Sequence, residues 1–166
     1  MKVTSSRSAT VLLFAIMSVV PCFAHHMAVV VSKQNGVTAL SSAQLSNIFR
    51  AETKKWPDGK SIQLVLHRAS SGEAITLQRL NKMSAQQWHS WVAEHRDSVV
   101  LVDSDNDVLN YVQNAPGAVG LVDVRSLNDR VNIVRVGGKV PMEDGYLAPL
   151  DVQQSAASTF LCINLK

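Results

Sequence analysis

Cysteine is nearly missing from this chain. Cys22 lies near the N-terminus and Cys162 near the other end. Long apolar runs are also scarce. The longest, VLLFAIMSVV, follows Lys2 and Arg7 and precedes PCFA, whose Cys22 and Ala24 are small residues at the positions a signal peptidase reads. That pattern reads as a secretory signal peptide over residues 1–24, too short to span a bilayer comfortably. Cleavage after Ala24 leaves Cys162 as the one thiol, which excludes an internal disulfide and suits a buried free cysteine in an exported protein. After Ala24 no apolar run reaches membrane-spanning length, so no membrane insertion is expected once the signal is removed.

An excess of one charge is lacking as well. Without Lys2 and Arg7 there remain 14 basic against 13 acidic residues, a net charge of +1. Such a balance makes no basic face for nucleic acid. Internal repeats and Pro- or Ser-rich linkers are missing, so residues 25–150 read as one domain with a real core and 151–166 as a tail. Leu161, Ile163 and Leu165 alternate in that tail and fit an edge strand. Catalytic signatures are missing too. There is no GxSxG elbow, HExxH, Walker glycine loop or carboxylate pair on one face, so neither enzyme nor cofactor is expected.

What is present alternates between strand and helix. MAVVVS (Met27 to Ser32) is β-branched and apolar, a buried strand. Ser42 can cap a helix whose Leu45, Ile48 and Phe49 share one face. WPDGK carries a Pro-Asp-Gly turn. SIQLVLH, from Ser61 to His67, reads as a strand, and a helix follows from about Ser71. Ser84 with Gln87 has capping-box spacing, and Trp88, Trp91, Val92 and His95 form one stripe of the helix it opens. SVVLV is a strand. Ser104 with Asp107 opens another helix, with Val108, Tyr111 and Val112 facing inward, which must stop at NAPG. AVGLV and VNIVRV complete the set. The alternation predicts an α/β fold with a mixed, mostly parallel sheet flanked by helices.

In their order and spacing, LSSAQLSNIF, KKWPDGK, HRASSG and VDSDNDVLNYVQNAPGAVGLVD resemble the substrate-binding proteins of phosphate ABC importers. The resemblance covers roughly residues 27–137. It implies a periplasmic-binding-protein-like fold, matching the second of the two lobes that close on phosphate in longer members. The glycine-rich loop of their first lobe has no match. In that family an arginine followed by a Ser-Gly-Thr turn at a helix start holds the anion. Arg68, Ser71 and Gly72 match, Glu73 stands in place of the threonine, and Ser70 stands near where an aspartate is usual.

HRASSGE therefore has two readings. A helix start offers unpaired N–H groups and a positive dipole end, to which Arg68 adds a bidentate fork and Gly72 close backbone approach. Against that, Ser70-x-x-Glu73 is a capping box, and a charged Glu73 at ~4 Å opposes a second anion by about 4 kcal/mol. The expectation is a periplasmic, non-catalytic module that binds phosphate or a related oxyanion weakly through Arg68, Ser70, Ser71 and Gly72. The alternative is a ligand-free accessory domain that contacts an envelope transporter or sensor protein. No metal site is expected. His25, next to the predicted cleavage point, has the chemistry to bind copper, but a frayed terminus explains it, and His67, His89 and His95 lack ligand spacing. Asp103, Asp105 and Asp107 lack the glycine and closing glutamate of a calcium loop, so helix capping accounts for them.

Overall fold

A computed structural model of the chain describes residues 26–148. The leader-like segment and the alternating tail lie outside those residues. Within them the order is β1 (Met27–Ser32), β2 (Ala39–Leu40), α1 (Ser42–Phe49), β3 (Gln63–His67), α2 (Ser71–Asn81), α3 (Ala85–Glu94), β4 (Val99–Val102), α4 (Asp105–Asn114), β5 (Ala118–Asp123), β6 (Val131–Ile133) and β7 (Arg135–Val136). Five strands form one sheet in the order β4-β3-β5-β1-β6, and β2 pairs with β7 beside it. β3 runs parallel to both β4 and β5. β1 is antiparallel to β5 and β6, so four of the five strands share a direction and β1 opposes them. The sheet is mixed and mostly parallel, as the alternation of strand and helix requires.

Both faces of the sheet are covered, which is why its strands read as continuous apolar runs. Alternate residues go to opposite sides. Val29, Val31, Leu64, Leu66, Val119 and Leu121 pack with Leu45, Ile48 and Phe49 of α1, Leu77 and Leu80 of α2, and Trp88 and Trp91 of α3. Val30, Val65, Ala118 and Val122 meet Val108, Leu109 and Val112 of α4 on the other side. Gly120 lies in the row facing α4, and a Cβ there would come 2.5 Å from Val108 Cγ1, so the helix sits as close as glycine permits.

The helix starts follow local chemistry. The α3 capping box forms as its spacing predicts, with Ser84 Oγ accepting from Gln87 N and the Gln87 side chain accepting from Ser84 N. For α1 the cap is Ser41, one residue earlier than expected, because Gln44 stands three residues after Ser41 and completes a capping box there. VNIVRV divides at Val134. Its first half extends the main sheet and its second half pairs with β2. The Trp56 indole, buried in the Pro-Asp-Gly turn, donates to Gly117 O at 2.9 Å and ties that turn to the end of α4.

Candidate functional site

The parallel strands β3, β4 and β5 end on one edge of the sheet, and α2 and α4 both begin there. This is where open α/β sheets place their ligands. His67 ends β3, and the Arg68 N–H donates to Val102 O at 2.8 Å, which extends the ladder with β4 by one step. The chain then turns through Ala69, with Ser70 N donating to His67 O at 3.2 Å. Ser70 is the N-cap of α2, its hydroxyl accepting from Glu73 N at 3.2 Å. As the first residues of the helix, Ser71 and Gly72 carry N–H groups with no acceptor inside it.

The expected capping box is only half made. The Glu73 side chain does not return to the Ser70 N–H. It folds under the helix, 2% exposed, and accepts from the His67 backbone N–H at 3.0 and 3.2 Å. Burial pushes its carboxyl well above the ordinary glutamate range. The His67 N–H pulls the other way, and nearby Asp105 pushes it up further. Turned under the helix to the His67 N–H, the Glu73 carboxyl group does not sit at the helix start, where the capping-box reading places it. Capping-box spacing alone cannot distinguish the two placements, because a glutamate at the third helical position reaches either the cap or the strand below.

A recess of about 480 Å3 opens at this turn, lined by Ser70, Ser71 and Gly72 on one side and by Asp105, Asp123, Arg125 and Ser126 on the other, with His67 between. Asp105 organises the far wall. Its carboxylate takes His67 Nδ1 at 3.2 Å, Asp123 N at 3.0 Å and Ser126 Oγ–H at 2.9 Å. Arg125 forks onto Asp123 at 2.9 and 2.7 Å. Arg68 is not part of the lining. It lies outward, its guanidinium 3.5 Å from Asp103, with both side chains mostly exposed. The structure thus gathers Ser70, Ser71 and Gly72 at the recess and leaves Arg68 at its margin. Arg125 and Ser126 escape sequence reading because they are more than 50 residues from Ser70 and belong to no local motif, and Asp123, though it ends a motif that carries the resemblance, gives no local sign of its place at the recess. Their one signal is a position at or just after the end of a strand in the parallel set.

The other candidates take structural roles. His95 caps α3, its Nδ1 2.8 Å from Trp91 O and its ring stacked on Trp91 at 4.5 Å. Asp107 is held by the Ser104 hydroxyl. Among the described residues no group of three or more His, Cys, Asp or Glu side chains is placed to hold a metal. Nor is any helix there long and apolar enough to cross a membrane. A larger depression of about 770 Å3 beside β4 and α4 is lined by carboxylates, amides and Leu101 without a cation.

Comparison with known proteins decides the family. Residues 17–155 match the model of a PBP superfamily domain. The chain belongs to that superfamily. Its fold is similar to an ABC-type phosphate transport receptor from Vibrio cholerae, at 22% identity and a TM-score of 0.58, over 72% of this chain and 49% of the receptor. It is also similar to a Clostridium perfringens protein of the phosphate ABC transporter substrate-binding class, solved with bound phosphate. There the identity is 19% and the TM-score 0.59, over 78% and 50% of the two chains. A phosphate-binding protein from Stenotrophomonas maltophilia aligns at 16% identity and a TM-score of 0.59, over 70% and 40%. The PBP-like chain thus spans about half the length of the first two and less of the third. No match was found among curated protein sequences.

Proposed function

We propose that this PBP-superfamily chain is a periplasmic solute-binding module, non-catalytic, that takes phosphate or a related oxyanion weakly at the start of α2. Ser70, Ser71 and Gly72 present the ligand-facing backbone and hydroxyl groups, and Arg68 supplies the cation. One observation carries the reading. The recess at the ends of the parallel strands is bounded by the first turn of an eleven-residue helix whose own carboxylate is buried beneath it. The helix start therefore keeps its N–H groups and dipole for a ligand. Exposed ion pairs such as Arg68–Asp103 contribute about 0–1 kcal/mol, so little opposes a swing of Arg68 toward the recess.

The expected binding is weak because this recess is open to solvent, and affinity follows enclosure as well as contacts. Calorimetric titration with phosphate and with sulfate tests the proposal. Heat at millimolar ligand, lost or at least tenfold weaker in Arg68→Ala, is the expected result. No heat at millimolar phosphate or sulfate overturns it. A second reading is favoured by the arginines themselves, since Arg68 faces Asp103 and Arg125 is forked onto Asp123. With its cations already engaged by carboxylates, the domain would act as a ligand-free accessory that contacts an envelope transporter or sensor. A null titration supports that reading.

A further inference from the structure

Glu73 occupies a place that the proposed oxyanion contacts do not use. It lies 2% exposed between the first turn of α2 and the end of β3, and the His67 N–H shared by its two oxygens is thin support for a buried charge. Carboxylates that stay ionised when buried accept two or three such bonds or face a cation.

None of the elements around α2 is seen to place a cation against Glu73. Before β1, His26 is exposed in a groove with Thr76 and Arg79, and the segment after β7 brings the exposed Glu143 and Asp144 to that groove. β1, β4 and α1 contain no ionisable side chain. α3 has His89 and Glu94, both exposed. β5 ends in Asp123, engaged with Arg125. α4 brings Asp105 and Asp107, the second held at Ser104. On β3 the His67 ring is turned to Asp105. Arg79 of α2 stands six residues on, about 9 Å along the helix. Arg68 lies outside with Asp103. The charge that reaches Glu73 is the carboxylate of Asp105, so the form that fits this place is the neutral acid.

We infer that Glu73 is a proton-operated latch between β3 and the start of α2: docked as the neutral acid, it holds the turn from His67 to Gly72 closed, and its ionisation releases that turn. Burial, which raises the docked carboxyl well above the ordinary 4.5, agrees with this. A released Glu73 titrates near the ordinary value. Opening is therefore linked to loss of one proton, and its equilibrium constant rises about tenfold per pH unit between the released and docked values. The released turn is also the wall of the recess. As a consequence that rests on the proposed function, oxyanion binding weakens as the latch opens.

Hydrogen exchange of the ligand-free full chain tests the latch, read as protection factors from about pH 5 to about pH 8. In the wild type, protection of the His67 amide and the first-turn amides of α2 should fall at least tenfold across that range, while Val119 and Leu121 in β5 stay protected. Glu73→Gln and Glu73→Met, two replacements of different polarity, should each flatten the profile. A flat profile in the wild type overturns the proposal, as does an equal fall in the variants. If His67→Asn removes the response and Glu73→Gln keeps it, the proton belongs to the imidazole and the latch is wrong. No ligand enters this experiment, so a failed phosphate titration leaves it standing, and a flat exchange profile leaves the titration standing.

Discussion

Tyr146 shows how much one side chain holds in this molecule. Its hydroxyl accepts from Val29 N at 3.1 Å and donates to Val134 O at 2.6 Å, standing in for a missing rung where β6 has ended and β1 continues. Both backbone groups are buried, and an unpaired buried amide or carbonyl costs about 1–3 kcal/mol. Tyr146→Phe keeps the ring and removes the bridge, so a stability loss of about 1–3 kcal/mol is expected in denaturant titration. Burial pushes the hydroxyl up to about 12 from its ordinary 10.0, against the pull of the Val29 N–H. A raised value means the folded state holds this proton more tightly than the unfolded one. The contribution is therefore full below 10.0 and is lost as pH rises through about 12. The wild type should lose stability in that alkaline window more steeply than Tyr146→Phe. Parallel pH profiles in which the two proteins keep a constant difference would show that the hydroxyl does not carry the bridge.

At the scale of elements, the contact between α4 and β5 is set by an absence of side chain. A Cβ on Gly120 would meet Val108 Cγ1 at 2.5 Å and Val65 O at 3.2 Å, and the second of these is backbone and cannot turn away. Gly120→Ala is expected to lower stability by about 1–3 kcal/mol, the range for overpacking a well-filled core. Pairing it with Val108→Ala should return part of the loss in a double-mutant cycle, since Val108 is the nearer obstacle. Strictly additive losses would place the strain elsewhere. These apolar strands and capped helices were legible in the sequence because period and capping chemistry are local. MAVVVS declared itself as a buried strand, SIQLVLH and AVGLV as strands, and Ser84 with Gln87 marked α3. What stayed hidden depends on distant pairing. The two-residue β2 and β7 are too short for a period, and the reversed direction of β1 is set by β5 and β6 rather than by its own residues. The site divides the same way. Ser70, Ser71 and Gly72 were readable as a helix start. The Asp105 hub and Arg125 were not, since the fold brings them there across the strand ends, and the inward turn of Glu73 depends on the packing of α2 against the end of β3, which no local pattern announces.

Across the whole molecule, a recess at the strand ends has one wall made by α2 and another made by the segment after β5, and it is open above. Under the proposed function, an anion there would gain the dipole of α2, two backbone donors and the reach of Arg68, and would keep part of its hydration. That set suits a dissociation constant of about 1 mM, equivalent to about −4 kcal/mol. Binding to the folded state alone then stabilises by RT ln(1 + [L]/Kd), about 1.4 kcal/mol at a tenfold excess over Kd. For a domain of this size that is a rise in Tm of about 5 °C at ~10 mM phosphate, and none measurable at micromolar phosphate. Scanning calorimetry across that series should show the rise in the wild type and a smaller one in Arg68→Ala, at constant ionic strength so that general salt effects cancel. A rise already present at micromolar phosphate would require an enclosed ligand, and therefore a second wall over the recess, contributed by another molecule or by residues beyond 26–148. No rise at ~10 mM would leave the fold without its anion and favour the accessory reading, in which carboxylates already occupy the arginines of the site.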